Sequence, residues 1–218
     1  LLEQAPFSHE AIEEQVAKRC ITSLYHFTRV QNIEGILSHG LLSKNELTRR
    51  SLCFVENDQN RLDYRTDCIS LSVSFPNYRL VYVYRVRSET TESKWILLRL
   101  KPSICWEIPS LFCATNAASS KVSGSQRHAL QGPGAFRSLF DDGHGGVMRS
   151  ARGLPDSYTW DPQAEILVPN YIPIGYISTI IFPERPSPEL SGSLRNTRIP
   201  CAINRQLFDK RLDWVHWQ

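Results

Sequence analysis

The chain has 218 residues, 41% of them hydrophobic, enough to support one domain with its own core. Its 25 basic and 22 acidic residues leave a formal charge of +3, so contact with a polyanion must come from a local patch rather than from overall charge. No run of 18 apolar residues marks a membrane span, and residues 1 to 20 lack the basic start and apolar stretch of a secretory signal, so the expected location is the cytoplasm.

In chain order, residues 9 to 19 predict a short amphipathic helix. Ile12 and Val16 lie four apart, with acids early and bases late to complement the helix dipole. Residues 21 to 27 tend to β structure and run into Tyr25-His26-Phe27-Thr28. A helix is expected over 30 to 39, with Ile33, Ile36 and Leu37 on one face and Gly40 as its stop. Residues 44 to 50 form a basic helix or turn, and 56 to 67 are polar, as in loops that carry side chains to a site. From Cys68 the texture turns to strands, over 69 to 74, 80 to 86 and 95 to 100, the last stopped by Lys101-Pro102. Residues 119 to 160 show no periodicity and predict a long loop, functional or disordered. Glu165 then opens the apolar stretch Ile166-Leu167-Val168. Residues 171 to 182 read as a turn and a strand, 183 to 197 as a polar connection, and 208 to 217 as an aromatic segment able to cap the core. Helices gathered before a mixed or antiparallel sheet predict an α+β fold. The six cysteines, Cys20, Cys53, Cys68, Cys105, Cys113 and Cys201, form no Cys-x-x-Cys pair. Free buried thiols are expected rather than zinc, and no metal is called for.

Four places can carry chemistry. His26, Thr28 and Asn32 can offer a ring nitrogen, a hydroxyl and an amide to one ligand, although His26 alone also fits a satisfied core histidine. Arg61 has the fork geometry for a pyrophosphate, but the acids around it fit a local ion pair equally. Ser70 lies on an alternating strand. Glu165 is a poor residue for the edge of an apolar strand, though strands do open on solvated carboxylates. No Gly-x-Ser-x-Gly occurs, no cysteine has a nucleophile's context, and Gly143-His144-Gly145-Gly146 lacks both P-loop and Rossmann spacing.

Taken together, Leu24-Tyr25-His26-Phe27-Thr28, Asn32, residues 36 to 43, Ile69-Ser70-Leu71-Ser72 with Phe75-Pro76, Asn116-Ala117-Ala118, and Gln163-Ala164-Glu165-Ile166-Leu167-Val168 resemble the DarT family, DNA ADP-ribosyltransferase toxins paired with a macrodomain antitoxin. The resemblance spans about residues 24 to 180. It implies an ADP-ribosyltransferase fold with central β-sheets, NAD as co-substrate and single-stranded DNA as partner. Glu165 matches the catalytic glutamate and Arg61 the loop arginine needed for activity. His26, Thr28 and Asn32 match the motif that holds NAD, and Ser70 with Leu71 falls near the nicotinamide, where relatives often carry an aromatic residue. Asn116 stands where some relatives carry His. Residues 138 to 161 would shape the acceptor site for a thymine or guanine.

The chemistry fits these residue types. Breaking the nicotinamide–ribose bond builds positive charge on the ribose, which a carboxylate stabilises before taking a proton from the acceptor. Gln163, two residues before Glu165, is expected on the same strand face, and its amide suits a nucleobase. Lys44, Arg49, Arg50, Arg65, Arg137, Arg149 and Arg152 can track a DNA backbone, with Tyr158 and Trp160 as stacking faces, unless these arginines are only solubilising and the two rings close the core. The expected function is ADP-ribosylation of a DNA base by a toxin or anti-phage effector. The rival readings are an RNA or protein acceptor, or a catalytically silent nucleic-acid-binding module, in which a carboxylate at a phosphate site would repel the ligand.

Overall fold

A computed structural model describes residues 7–56, 63–81, 95–142, 148–195 and 197–217. The strands are β1 (Leu24–Arg29), β2 (Leu41–Leu42), β3 (Cys68–Val73), β4 (Trp95–Leu100), β5 (Leu111–Cys113), β6 (Glu165–Pro169), β7 (Tyr171–Ile172), β8 (Ile177–Phe182) and β9 (Cys201–Ile203). Seven form one sheet in the order β5-β6-β3-β1-β4-β8-β9, with β2 and β7 as a separate pair. All neighbours in the large sheet are antiparallel except β8 and β9.

The apolar strands are buried on both faces, which explains why they do not alternate in sequence. On β4, Ile96, Leu98 and Leu100 enter the main core, while Trp95 and Leu97 pack on the other side with Tyr25, Ile181 and Phe208. On β6, Ile166 and Val168 join the main core, and Leu167 joins a smaller cluster with Cys68, Cys113, Ala117 and Leu130. Helix α1 (Phe7–Lys18) closes the main core with Ile12 and Val16, the pair its spacing predicted. Helix α2 (Ile33–His39) ends at Gly40, whose φ of 76° favours glycine, and a Cβ there would sit 2.6 Å from the Ile172 carbonyl oxygen. Helix α3 (Lys44–Arg49) starts on Ser43, whose hydroxyl accepts from the Glu46 N–H.

The sheet is not continuous. β1 and β3 pair only at Leu24 with Val73 and Tyr25 with Ser72. Beyond that point β1 stays with β4 as far as Arg29 and Trp95, while β3 stays with β6 as far as Cys68 and Pro169. Two strand edges that would otherwise zip together therefore part and flank a fork. Backbone groups along such edges are obligatory hydrogen-bonding sites, which suits the fork to a polar ligand.

Several expectations are corrected. Residues 78–81 are helical rather than part of a strand, and residues 82–94 lie outside the described residues. The stretch 119–160, expected as a long loop, carries helices Ser120–Ser123 and Gly132–Ser138 and 3-10 turns Arg127–Leu130 and Arg149–Arg152. Each is about one to two turns long, too short to register a period. The polar connection after β8 contains helix Pro188–Leu194, started by the Ser187 hydroxyl. Of the six thiols, Cys68, Cys105 and Cys113 are buried, but Cys20, Cys53 and Cys201 are exposed. No helix among the described residues is long and apolar enough to cross a membrane.

Candidate active site

The fork opens onto a cavity of about 260 Å³, whose walls include His26, Thr28, Asn32, Ile36, Lys44 and Val55. His26 lies one residue past the last β1–β3 pair, and its Nδ1–H donates to the Ser70 carbonyl oxygen across the fork at 3.0 Å. A carbonyl only accepts, so in this contact Nδ1 carries a proton. Asn32 builds the opposite wall with one amide group. Its Nδ2 donates to the Thr28 hydroxyl at 3.1 Å and to the Val55 carbonyl at 2.9 Å, and its Oδ1 accepts from the Val55 N–H at 2.8 Å. The side chain thus pairs with Val55 as a strand backbone would, and holds residues 52–56 against the turn Val30–Asn32. Lys44 and Glu56 form a 3.0 Å ion pair on the same cavity.

Glu165 is the first residue of β6 and only 6% exposed. Its Oε2 accepts from the Ser70 hydroxyl at 2.8 Å. Ser70 therefore links the two halves of the site, its carbonyl accepting from His26 and its hydroxyl donating to Glu165. Cys113, on β5, lies directly opposite Glu165, and its thiol is pushed up to about 12 by burial first and by the Glu165 charge second. The thiol is neutral at physiological pH and supplies no nucleophile beside the carboxylate.

Asp161 fastens the approach to Glu165 from two sides. Its Oδ2 accepts from the Thr115 hydroxyl at 2.7 Å, and its Oδ1 accepts from the Gln163 N–H at 2.7 Å. Gln163 thus sits in a turn closed by Asp161, and β6 begins only at Glu165, so strand alternation does not set where Gln163 points. Asn116 is next to Thr115, and its Oδ1 accepts from the Ala118 N–H at 2.8 Å in a similar local turn. Asp-Pro at positions 161 and 162 is a turn signal visible in the sequence, whereas nothing in the sequence links position 115 to position 161.

The remaining residues fall less evenly. The Leu71 side chain lies in the main core. Both Arg49 and Arg50 turn back to Glu46, at 2.7 and 3.1 Å. Arg149 is spent on the carbonyls of Phe140, Pro155 and Tyr158. Trp160 is 8% exposed, packed edge-on against Trp217 with the Arg152 guanidinium 4.1 Å over its ring, so it offers no stacking face and closes the core instead. Tyr158 is half-buried with its ring 5.9 Å from Phe75. Arg61 lies outside the described residues. Among the described residues no cluster of His, Cys, Asp or Glu is arranged to hold a metal ion.

The family of ssDNA thymidine ADP-ribosyltransferase, DarT, matches residues 25–206 of the chain. No curated protein matches it. Among solved structures, Thermosipho africanus DarTG in complex with ADP-ribose is 20% identical with a TM-score of 0.62, covering 86% of this chain and 51% of its own. The present chain thus spans about half the length of that protein. Thermus sp. 2.9 DarT in complex with ADP-ribosylated ssDNA is 16% identical with a TM-score of 0.54, covering 85% of this chain and 95% of its own. The same protein in complex with NAD+ has a TM-score of 0.51 at 16% identity over 85% of this chain and 96% of its own. These likenesses establish a common fold.

Proposed function

Because the chain belongs to the DarT family of ssDNA thymidine ADP-ribosyltransferases, we propose that it transfers ADP-ribose from NAD to a thymidine of single-stranded DNA at the site around Glu165. The observation that carries this reading is the His26–Ser70–Glu165 relay. It puts a buried carboxylate one residue away from the wall of a cavity able to take a nucleoside-sized piece of the dinucleotide. A pure binding module has no use for a buried negative charge beside a site for an anionic ligand. Thymidine, the family's acceptor, narrows the choice left open between thymine and guanine.

In this mechanism, His26, Thr28 and Asn32 hold one end of NAD in the cavity, and the backbone of Ser70, rather than the Leu71 side chain, faces the fork. The bond between the nicotinamide nitrogen and the ribose breaks, its electron pair leaving with nicotinamide as a neutral molecule, so no general acid is required. Glu165 stabilises the positive charge on the ribose and takes the proton from the thymine as the new glycosidic bond forms. The Ser70 hydroxyl keeps the carboxylate aimed at that charge. The turns at Asn116 and Gln163, both tied through Asp161 and its neighbours, flank the acceptor. Arg61 would serve the pyrophosphate and Arg49 and Arg50 the DNA backbone, the last two after exchanging Glu46 for phosphate. The role in the cell would be that of a toxin or anti-phage effector in the cytoplasm, held in check by a macrodomain antitoxin.

Mass spectrometry of a mixed-sequence single-stranded DNA incubated with the protein and NAD tests the reading. The expected result is a gain of one ADP-ribose located on thymidine by fragmentation, and absent with the Glu165→Ala protein. A gain only on RNA or protein would move the acceptor, and no consumption of NAD would sink the reading. The cavity makes its own prediction. Asn32→Ala frees residues 52–56 and removes three hydrogen bonds, so NAD affinity falls roughly tenfold by calorimetry. An unchanged affinity would place NAD elsewhere.

A further inference from the structure

Tyr64 is 87% exposed, the most exposed of the large hydrophobic residues described. It also has a φ of +53°, in the left-handed region that bulky side chains avoid, and is the one aromatic among the non-glycine residues described there. A position of that kind is ordinarily filled by Gly or Asn. A left-handed backbone that carries an aromatic ring into water adds nothing to the core and leaves the ring open to a ligand.

The turn that displays it is built rather than loose. Asp63 and Arg65, on either side, are both buried. The Arg65 N–H donates to the Asp63 carboxylate at 3.2 Å, and the Arg65 guanidinium donates to the Ser125 carbonyl at 3.0 Å. This anchors the turn to the segment that covers the Glu165 face of β3, β6 and β5 through Ala117, Val122 and Leu130. The Arg65 carbonyl accepts from the N–H of Cys68, where β3 begins, so the turn leads into the strand two residues before Ser70, whose hydroxyl donates to Glu165. Trp160, the aromatic nearest Glu165 in sequence, is packed away, whereas the Tyr64 ring is presented to solvent.

We infer that Tyr64 is a stacking platform for a base of the acceptor strand that flanks the modified nucleotide. The inference rests on the single-stranded DNA reading above. A ring held at a fixed height by two buried side chains can stack on any base, which orients the strand without reading its sequence. The flanking base so held would set which nucleotide reaches Glu165.

The test is binding of a fluorescent single-stranded oligonucleotide without NAD, so that no transfer occurs, over a range of salt concentrations. Tyr64→Ala is expected to weaken binding roughly 5- to 150-fold, the range for one stacked base, and Tyr64→Phe to stay within about twofold of the wild type. The slope of log affinity against log salt should not change, since no phosphate contact is lost. Tyr64→Asn, which accepts the left-handed backbone, should weaken binding like Tyr64→Ala yet melt no lower than the wild type. If the wild-type chain binds DNA and Tyr64→Ala binds as well, the role of Tyr64 is overturned and the DNA reading stands. A slope reduced by about one, or a Tyr64→Phe protein as weak as Tyr64→Ala, makes the contact polar and overturns stacking. If the wild type binds no single-stranded DNA at all, the DNA reading and the inference fall together.

Discussion

Replacing Glu165 with Gln cuts ADP-ribosyl transfer by about 10²–10⁴-fold and leaves NAD affinity within a few-fold of the wild type. Gln has the same length and shape, and its carbonyl oxygen can still accept from the Ser70 hydroxyl, so the geometry at 2.8 Å survives the change. What goes is the charge, and charge is what the chemistry needs. A positive ribose is stabilised by a fixed carboxylate that is itself only 6% exposed to water far more than it would be in solution. The amide also cannot take the acceptor's proton. Binding is spared because the cavity walls are His26, Thr28, Asn32 and their neighbours rather than Glu165. Release of nicotinamide followed by chromatography, with NAD binding measured separately, resolves the two effects. Glu165→Gln retaining more than a tenth of the wild-type rate would move the catalytic role to another group.

Why Glu165 was legible while its surroundings were not follows from what each depends on. A lone carboxylate ahead of Ile-Leu-Val violates the pattern of its own strand, and a violation is visible without knowing the fold. The strands over 69 to 74, 95 to 100 and from Glu165 were visible for the same local reason: β4 is apolar but for Arg99 because it is buried on both faces. The fork leaves no such mark, because it is set by where β1 and β3 stop pairing, and the sequence of either strand would suit continued pairing equally. Asn32 was singled out beside His26 and Thr28, but its partner Val55 is 23 residues on and contributes only backbone. Trp160 failed in the opposite sense. A Trp in a polar stretch reads as a displayed ring, but Trp217, 57 positions later, covers it. The stretch 119 to 160 read as a loop because helices of about one or two turns have no period to detect.

The C-terminal segment, expected only to cap the core, supplies the second large effect: Arg211→Ala lowers the melting temperature by roughly 10 °C at neutral pH. Arg211 is 2% exposed and Asp213 1%. The guanidinium donates to both Asp213 oxygens, at 2.6 and 2.7 Å, and to the carbonyls of Thr159 and Trp160, each at 2.9 Å. Removing one partner of a buried pair costs about 3–5 kcal/mol, because the other charge stays buried without its counter-ion. In a chain of this size each kcal/mol is about 2–4 °C. The pH dependence gives the sharper check. Burial alone would raise the Asp213 carboxyl, but hydrogen bonds and charge from Arg211, with a further bond from the Trp217 indole N–H, outweigh it and hold it below its ordinary value. A depressed folded pKa stabilises the protein above the unfolded carboxyl pKa, about 3.9, and that stability is lost as pH falls through the folded value. In Arg211→Ala the sign reverses, since the stranded carboxylate gains by taking up a proton. The melting deficit of Arg211→Ala should therefore be largest near pH 7 and shrink on acidification, read by calorimetry at several pH values. A deficit below about 2 °C, or one that does not change with pH, would mean that the pair is not what fastens residues 158 to 161 ahead of Glu165.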